Sequence, residues 1–387
     1  MSWPLVKLGE VAPSKALKNP VVLSDDNVWQ LNLDMVESNS GRIINKLKAP
    51  LSEAGSSTHW FDERHVLYSK LRPYLNKVVL PDEQGLATTE LVPMLPDPEK
   101  LDRRYLVHYL RSKQFVSWIS DQVAGAKMPR VLMKIFWDHE IPLPPLAEQK
   151  RIAAILDKAD AIRQKRKQAI ELADEFLRSV FLDMFGDPVT NPKGWEVKKL
   201  SNIAHIQIGP FGTQLHKEDY IENGIPLINP THIVQGSIVP NSNLTISSKK
   251  HRELSEYHLK AGDIVMGRRG EMGRCAIVHE QEAGWLCGTG SVFIRPQNIG
   301  VFSEYLNKLL SSQAIKKHLE SESQGATMPN LNKTIVGNIQ IPVPSDEALE
   351  QFSLLKAKCL NYLEISNIFS SEQYFEALGQ KAFSGQL

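Results

Sequence analysis

The sequence predicts an α/β protein with two tandem similar α/β domains, separated by two long helices packed as an antiparallel coiled coil. Three observations lead to this fold class. The chain repeats itself after about 200 residues, a period that corresponds to a whole domain, because solenoid units span roughly 20 to 50 residues. Each copy mixes short strand-like runs with helical periodicity. A long periodic segment follows the proline-rich end of each copy.

The repeat is anchored by two motifs in each copy. Gly125-Ala126-Lys127-Met128-Pro129, upstream of Ile141-Pro142-Leu143-Pro144, returns as Gly325-Ala326-Thr327-Met328-Pro329, upstream of Ile341-Pro342-Val343-Pro344. The same offset of 200 (325 − 125) pairs Tyr105 with Tyr305 and Ser112 with Ser312. Near the start of each copy the offset is 192 (195 − 3), since Trp3 to Leu8 matches Trp195 to Leu200. The second copy therefore carries a net insertion of eight residues (200 − 192).

Both copies show matching patterns of strands and helices. Strands are predicted at short apolar runs bounded by Gly, Pro or charged residues, namely Val66 to Tyr68, Val78 to Leu80, Ile264 to Met266 and Ala276 to Val278. Helical periodicity extends from Tyr105 to Val123 and from Tyr305 to Glu322.

The segment from Ala147 to Met184 contains no Gly or Pro and has helical apolar spacing, so we expect one long helix. A similar stretch runs from Phe352 towards Gly379. Such long amphipathic helices need a partner for their apolar stripe, and packing against each other provides one. The alternative is that each helix folds back on its own domain. The predicted division is residues 1–144 for the first domain, 145–186 for the first helix, 187–344 for the second domain and 345–387 for the second helix.

Bulk composition excludes several protein classes. No apolar run reaches the ~18 residues of a membrane span, and Met1 to Gly9 lacks the features of a secretory signal, so a cytoplasmic location is expected. Three scattered cysteines predict neither a disulfide framework nor a zinc cluster. The net charge of +1 lacks the general basic signature of a nucleic-acid binder. Any nucleic-acid binding must therefore come from local patches.

Several segments, taken in order, resemble the specificity subunit of Type I restriction-modification systems. The resemblance covers essentially the whole chain and rests on Ile141 to Ala153, on the Met184 to Trp195 junction, and on segments similar to those of target recognition domains. These segments are Leu67 to Leu75, Gly209 to Leu215, Gly262 to Val265 and Gly270 to Gly273.

The resemblance implies a non-catalytic chain in which each target recognition domain reads one half of an interrupted double-stranded DNA target. It also implies that the helices set the spacing and dock two methyltransferase subunits and the endonuclease, or translocase, subunits. No cofactor is expected in this chain, whereas S-adenosylmethionine, ATP and Mg²⁺ are expected in the partner subunits. The first copy continues after its proline-rich motif with Pro-Leu-Ala-Glu-Gln-Lys-Arg, whereas the second continues with Ser345-Asp346-Glu347. The resemblance therefore does not imply that partner subunits dock equally on the two copies.

DNA contacts require cations, hydroxyls and amides presented at a groove or a phosphate. In the first copy the candidates surround a strand end and a proline turn, and they are Ser69, Lys70, Arg72, Tyr74 and Lys77. The aligned candidates of the second copy are Arg268, Arg269 and Arg274. A glycine-rich turn adds Thr213, Gln214, His216 and Lys217, and the repeated Gly-x-x-Met-Pro turns add Lys127, Arg130, Asn330, Asn332 and Lys333. A solvated strand edge or a plain turn is the alternative at these positions.

Two further features have competing interpretations. Met128 and Met328 are predicted as core side chains, with insertion between DNA bases as the alternative. The basic run Arg163, Lys165, Arg166 and Lys167 is either a solvated helix face or a phosphate contact between half-sites.

Two other function classes are the alternatives. A DNA methyltransferase would need a glycine-rich cofactor loop and an Asn- or Asp-Pro-Pro-aromatic motif, whereas Asn229-Pro230-Thr231-His232 lacks the second proline and the aromatic residue. A protein-binding scaffold with the helices as a dimerisation rod fits the neutral net charge. Salt-dependent DNA binding would separate the scaffold from the recognition subunit.

Overall fold

A computed structural model describes residues 3–21, 27–125, 127–268, 273–298, 300–322, 331–365 and 371–387. The chain divides into two compact units. Unit 1 comprises Met1–Ala169 together with Ser366–Leu387, and unit 2 comprises Ile170–Ile365. None of the helices within these described ranges has the length and apolarity needed to cross a membrane.

Unit 1 contains one predicted domain, the first part of the long helix and the C-terminal helix. Its elements are β1 (Leu5–Lys7), α1 (Leu8–Val11), β2 (Asn27–Leu31), β3 (Lys48–Pro50), β4 (Thr58–Phe61), β5 (Val66–Ser69), β6 (Val78–Val79), β7 (Gly85–Thr88), β8 (Leu91–Met94), α2 (Arg103–Arg111), α3 (Lys113–Ser120), β9 (Val123–Ala124), β10 (Arg130–Val131), α4 (Met133–Asp138), β11 (Glu140–Pro142) and α5 (Leu146–Phe185), whose last residues belong to unit 2.

Unit 2 repeats this plan with additions. Its elements are β12 (Glu196–Lys199), α6 (Leu200–Ile203), β13 (Ala204–Ile208), β14 (Tyr220–Ile221), β15 (Ile225–Ile228), β16 (Ile233–Val234), β17 (Ser237–Ile238), β18 (Thr245–Ile246), α7 (Ser248–Glu253), β19 (Ile264–Gly267), β20 (Cys275–Ile277), β21 (Leu286–Cys287), β22 (Ser291–Pro296), α8 (Val301–Leu310), α9 (Gln313–Glu322), α10 (Lys333–Gly337), β23 (Gln340–Val343) and α11 (Asp346–Ile365). The final helix, α12 (Ser371–Phe383), belongs to unit 1.

The sheets of the two units share their pairing. In unit 1 a three-stranded sheet has the order β6-β5-β8, and in unit 2 the matching strands lie in the order β22-β19-β20 within a sheet that also includes β13. The pair β1-β11 corresponds to β12-β23, and both are antiparallel. Each unit also has one parallel pair, β2 with β7 and β15 with β21. The predicted tandem repeat is therefore confirmed at the level of strand pairing.

Two tyrosines show how closely the repeat extends into the cores. Tyr105 donates a 2.9 Å hydrogen bond to the Pro142 carbonyl, and Tyr305 donates a 2.6 Å bond to the Pro342 carbonyl. Both rings are buried. Burial of a tyrosine hydroxyl without a hydrogen bond costs free energy. Each of these bonds therefore holds the strand with the proline-rich motif against the helix that carries the tyrosine.

The predicted single helices after each sheet are two helices in fact. α2 and α3 meet at Ser112, whose Oγ accepts from the Phe115 amide at 3.3 Å, and Ser312 makes the same bond to Ile315 before α9. A serine that accepts from an amide three residues onward begins a helix, so the repeated serines mark helix starts. The prediction that the first helix reaches Val123 was also wrong, since this residue lies in β9.

Helix α5 confirms the predicted long helix; it packs antiparallel to α12 in unit 1 and contacts the start of α11 in unit 2. In unit 1, Ile152 and Leu156 share a core with Phe383 and Phe375 of α12, while Arg151 donates to the Leu387 carbonyl. In unit 2, the rings of Phe181 and Phe185 lie 5.6 and 5.4 Å from the Phe352 ring of α11. Helix α12 continues through Gly379 to Phe383.

Candidate nucleic-acid interface

The turn that follows β5 carries two exposed predicted contacts of unit 1, Arg72 and Tyr74. Arg72 and Asn76 both adopt left-handed backbone conformations, with φ of 51°. Pro73 between them is buried and begins a short 3₁₀ turn that ends at Leu75. Left-handed backbone is strained for residues with a Cβ, so packing must hold this turn in place. As a result Arg72 is exposed and the Tyr74 ring is 52% exposed.

The hairpin β9–β10 lies directly beside this turn. The Arg72 amide donates to the Pro129 carbonyl at 2.8 Å, and the Val131 amide donates to the Lys70 carbonyl at 2.8 Å. Leu71 and Arg130 form an antiparallel bridge. Gly125 begins the hairpin turn with a φ of 93°, a conformation that favours glycine. In unit 1 the Gly-x-x-Met-Pro motif therefore lies in a hairpin that is hydrogen-bonded to the β5 turn.

Five side chains define what we call the turn–hairpin surface, namely Arg72, Tyr74, Lys127, Met128 and Arg130. All five are exposed, Met128 to 47%. Arg130 forms an ion pair of 3.0 Å with Glu90, which raises the pKa of the guanidinium. The surface thus carries three cationic side chains, of which Arg130 is paired with Glu90. This chemistry suits a phosphate backbone, with Tyr74 able to stack on a base or sugar.

Met128 corrects a prediction from the sequence. It was expected to fill the core, but it lies on the hairpin with 47% of its surface exposed. Its polar neighbours Lys127 and Arg130 were the sequence signal for exposure. Met328 lies outside the described residues, as do Arg269 and Asn330.

The remaining candidates of the first copy point elsewhere. Ser69 is 2% exposed, and its hydroxyl donates to the Leu71 carbonyl at 2.9 Å. The Lys77 ammonium donates to the Leu33 carbonyl at 2.7 Å, and its burial lowers the pKa of the side chain. Both residues therefore stabilise the turn rather than presenting groups to a ligand. Lys70 lies in a recess of about 350 Å³ beside His59 and Trp137.

Arg268 is the aligned residue of the second copy, and the structure assigns it to the interior. It is 6% exposed, and its Nε donates to the Leu331 carbonyl at 2.7 Å. In this structure the guanidinium is buried and bonded to the backbone rather than presented at the surface, and a DNA contact by Arg268 stays a prediction. Arg274 is partly exposed and donates to the Pro230 carbonyl at 3.3 Å.

The glycine-rich turn after β13 forms a second exposed surface in unit 2. A Cβ on Gly209 would lie 1.9 Å from the Gly288 carbonyl oxygen, so only glycine fits where these two chain segments meet. Beyond this contact Phe211 is 62% exposed. Three of the predicted contacts on this turn are also exposed, namely Thr213, His216 and Lys217.

Gln214 departs from its predicted role. Its side-chain oxygen accepts a 2.8 Å bond from the Tyr257 hydroxyl and a 3.3 Å bond from the Phe211 amide. These bonds hold the turn and occupy the oxygen that would otherwise face a base. Phe211 was named in the motif but not as a contact, although an aromatic between two glycines signals an exposed turn.

Asn332 and Lys333 begin helix α10. The Asn332 Oδ1 accepts from the Ile335 amide at 2.9 Å, which is the ordinary role of asparagine before a helix. Lys333 is exposed at the first helical position. Asn332 therefore has a structural bond, while Lys333 remains a candidate contact.

The basic run of α5 is largely engaged within unit 1. Arg163 pairs with Asp160 at 2.8 Å, and its guanidinium lies 5.1 Å from the centre of the Phe375 ring. Lys167 pairs with Glu37 at 2.9 Å. Lys165 is exposed and Arg166 is half-buried. The solvated-face and phosphate hypotheses both stay open for Lys165.

Gln149 is a positioning residue that the sequence did not reveal. It is fully buried at the start of α5, accepts from the Asp102 amide at 2.8 Å and donates to the Lys100 and Pro144 carbonyls at 2.8 Å. The position 200 residues later is Leu349, which is buried in the core of unit 2. At the start of the helix after the second domain, apolar packing by Leu349 thus replaces the hydrogen bonds that Gln149 makes in unit 1. This is a packing difference between the units.

Comparisons with known proteins agree with this architecture. The sequence matches the family described as Type I restriction modification DNA specificity domain over residues 61–172 and 192–356. A relative in Methanocaldococcus jannaschii, the Type I restriction enzyme MjaVIII specificity subunit, is 28% identical over 306 residues, covering 73% of this chain and 69% of the relative. The MjaIX specificity subunit of the same organism is 25% identical over 268 residues, covering 65% of this chain and 61% of the relative.

A solved structure shares the fold. The crystal structure of the Type-I restriction-modification system S subunit from M. genitalium aligns with a TM-score of 0.59 and 16% identity, covering 99% of this chain and 96% of that chain.

Proposed function

Because the chain belongs to the family of Type I restriction modification DNA specificity domains, we propose that it is the sequence-recognition subunit of a Type I restriction-modification complex. Each of its two similar domains reads one half of a bipartite DNA target. The amino-acid sequences of the two domains differ between the repeated motifs, so the two half-sites differ and the target is asymmetric. The observation that carries the proposal is the turn–hairpin surface, where two chain segments bonded to each other present three cations and an aromatic ring.

The long helices serve as the spacer and the docking site. They expose large apolar side chains that a solvated helix would not need, namely Ile162, Ile170, Leu172, Phe176 and Leu182 on α5, and Leu354, Leu355 and Leu360 on α11. Apolar surface of this extent is typical of a protein-binding face. We infer that methyltransferase subunits cover it, and that the endonuclease subunits join that assembly.

The chain itself performs no chemistry in this proposal. S-adenosylmethionine, ATP and Mg²⁺ act in the partner subunits, where methyl transfer and DNA translocation take place. The contribution of this chain is to select the sequence by base and phosphate contacts and to hold the catalytic subunits at a defined distance from it.

The target is found by methylome sequencing of cells that co-express the chain with its methyltransferase. Two different half-sites separated by a spacer of fixed length are the expected result. The purified complex should then bind that duplex with an affinity that falls steeply with salt, because cations displace counterions from the phosphates. Identical half-sites would contradict the assignment of one distinct half to each domain. Salt-independent or absent DNA binding would favour a protein-binding scaffold.

A further inference from the structure

Met128 is an exposed apolar side chain in the midst of cations, and the contacts described so far give it no role. Nearly half of its surface is exposed although methionine is ordinarily a core residue. Its nearest neighbours in the chain include Lys127 and, two residues later, Arg130. A phosphate backbone drawn towards these cations would bring the methionine against the duplex.

The hairpin that carries Met128 is held firmly at its base. Pro129, the next residue, restricts the backbone, and its carbonyl accepts the 2.8 Å bond from the Arg72 amide. The strand pairing of Arg130 with Ala124 closes the hairpin on the other side. A long unbranched side chain on a fixed support can enter a narrow gap without a large loss of backbone freedom.

We propose, on the basis of the proposed DNA-recognition function, that Met128 inserts between two adjacent base pairs of the half-site bound by unit 1 and unstacks them. Apolar side chains inserted in this way kink the duplex and bring more protein surface to it. The flanking cations Arg72, Lys127 and Arg130 hold the phosphates on either side of the step. The half-site of unit 1 is therefore selected partly by how easily that step unstacks, in addition to direct base contacts.

The test uses the complex of the full chain with its methyltransferase, bound to target duplexes in which a fluorescent base analogue replaces one base at a time. Emission of such an analogue rises when its neighbours unstack. Besides any rise at the base that the methyltransferase extrudes, wild-type complex should raise emission at one step within one half-site, and Met128→Ala should abolish that rise and weaken target binding by about tenfold. Met128→Leu should retain both effects. Leu51→Ala, which removes an apolar side chain of unit 1 that is 43% exposed, serves as the matched control and should change neither.

A mismatch placed at the same step provides a second readout, because a mismatched step is already easy to unstack. On that duplex Met128→Ala should bind as tightly as wild type. If Met128→Ala binds the matched target as wild type does and keeps the emission rise, insertion by Met128 is refuted while DNA recognition stands. If the wild-type complex itself fails to bind the target, both the proposed function and the insertion of Met128 are refuted.

Discussion

Lys70 and Arg268 occupy the same backbone position in the two domains but direct their charges differently. The Lys70 amide donates to the Glu90 carbonyl and its carbonyl accepts from the Val131 amide; Arg268 makes the same pair of bonds with Gly290 and Leu331. The Lys70 side chain lies in a surface recess, whereas the Arg268 guanidinium is buried against backbone carbonyls. The two residues thus share their backbone hydrogen bonds, but their side chains have different roles.

Arg72→Ala should weaken target binding without changing stability, because the side chain is exposed. The expected loss is about 1 to 3 kcal/mol for a base contact, or a salt slope that falls by about one unit for a phosphate contact. Arg268→Ala should instead lower the free energy of unfolding by about 1 to 3 kcal/mol, because it leaves the buried Leu331 carbonyl without its guanidinium donor. Binding titrations at several salt concentrations and denaturant unfolding distinguish the two. Weakened stability in Arg72→Ala with unchanged DNA binding would exclude the turn–hairpin surface as an interface.

Asp263→Asn should destabilise unit 2 by about 3 to 5 kcal/mol, the usual effect of breaking a buried ion pair by removing one charge. The Asp263 carboxylate is fully buried and accepts two 2.7 Å bonds from Arg295, which would be left with an uncompensated charge. Hydrogen exchange followed by mass spectrometry should show the loss of protection in unit 2. Lys198→Ala removes one partner of the exposed pair with Glu196 and should leave protection unchanged. Equal exchange in Asp263→Asn and wild type would contradict the structural role of the Gly262-Asp263 motif.

The pH dependence of stability should include a contribution from Glu37. Hydrogen bonds from Ser40 and Lys167 lower the pKa of Glu37 from 4.5 to about 2. Since the folded-state pKa lies below the unfolded one, this stabilisation is present above about pH 4.5 and is lost as the pH falls towards 2. Acid titration of the free energy of unfolding should therefore be less steep in that window for Glu37→Gln.

The exposed residue Lys165 offers the control for that titration. Lys165→Ala alters the same helix as Lys167 but leaves the bonds from Ser40 and Lys167 to Glu37 in place, so it should preserve the slope of wild type between pH 4.5 and 2. Superimposable titrations of Glu37→Gln and wild type would show that this contact does not contribute to stability.

Four residues inserted after Gln168, in the interior of α5, should lengthen the preferred spacer. The insertion adds about 6 Å of helix and returns the apolar stripe to within about 40° of its register. Duplex DNA advances about 3.4 Å per base pair along each strand, so half-sites one or two base pairs further apart should be preferred. Methylome sequencing with the altered subunit gives the spacer directly. An active variant with the original spacer would show that α5 does not set the separation, and altered half-sites would contradict the division into reading and spacing segments.

The sequence placed Lys70 and Arg72 at one turn and Lys127 at another, and both sets stay predicted DNA contacts. The structure adds that the two segments are hydrogen-bonded to each other, through Val131 and Pro129. Burial could not be predicted in the same way. Arg268 and Ser69 carry polar groups typical of a surface, yet both are buried. Their burial is tolerated because each side chain donates a hydrogen bond to a backbone carbonyl.

Met128 and Gln149 show the converse. Met128 was expected in the core and is exposed, whereas Gln149, for which the sequence suggested no role, is fully buried. The methionine lies in the turn between the paired strands β9 and β10 and is exposed there. The glutamine is buried because three backbone groups converge on its amide from the Lys100–Asp102 segment and from Pro144. Neither arrangement follows from local pattern, since the bonding partners lie on separate chain segments.

The amino-acid sequence by itself determined the tandem repeat, the strands β5, β6, β19 and β20, and the long helix α5, because periodicity, turn residues and the absence of Gly and Pro act locally along the chain. Only the tertiary structure decided that Ser112 and Ser312 divide the helices of each domain and that α12 joins the first unit. It also decided which cations remain at the surface. These outcomes depend on long-range packing and on where buried polar groups find partners, and both are settled by residues distant in sequence.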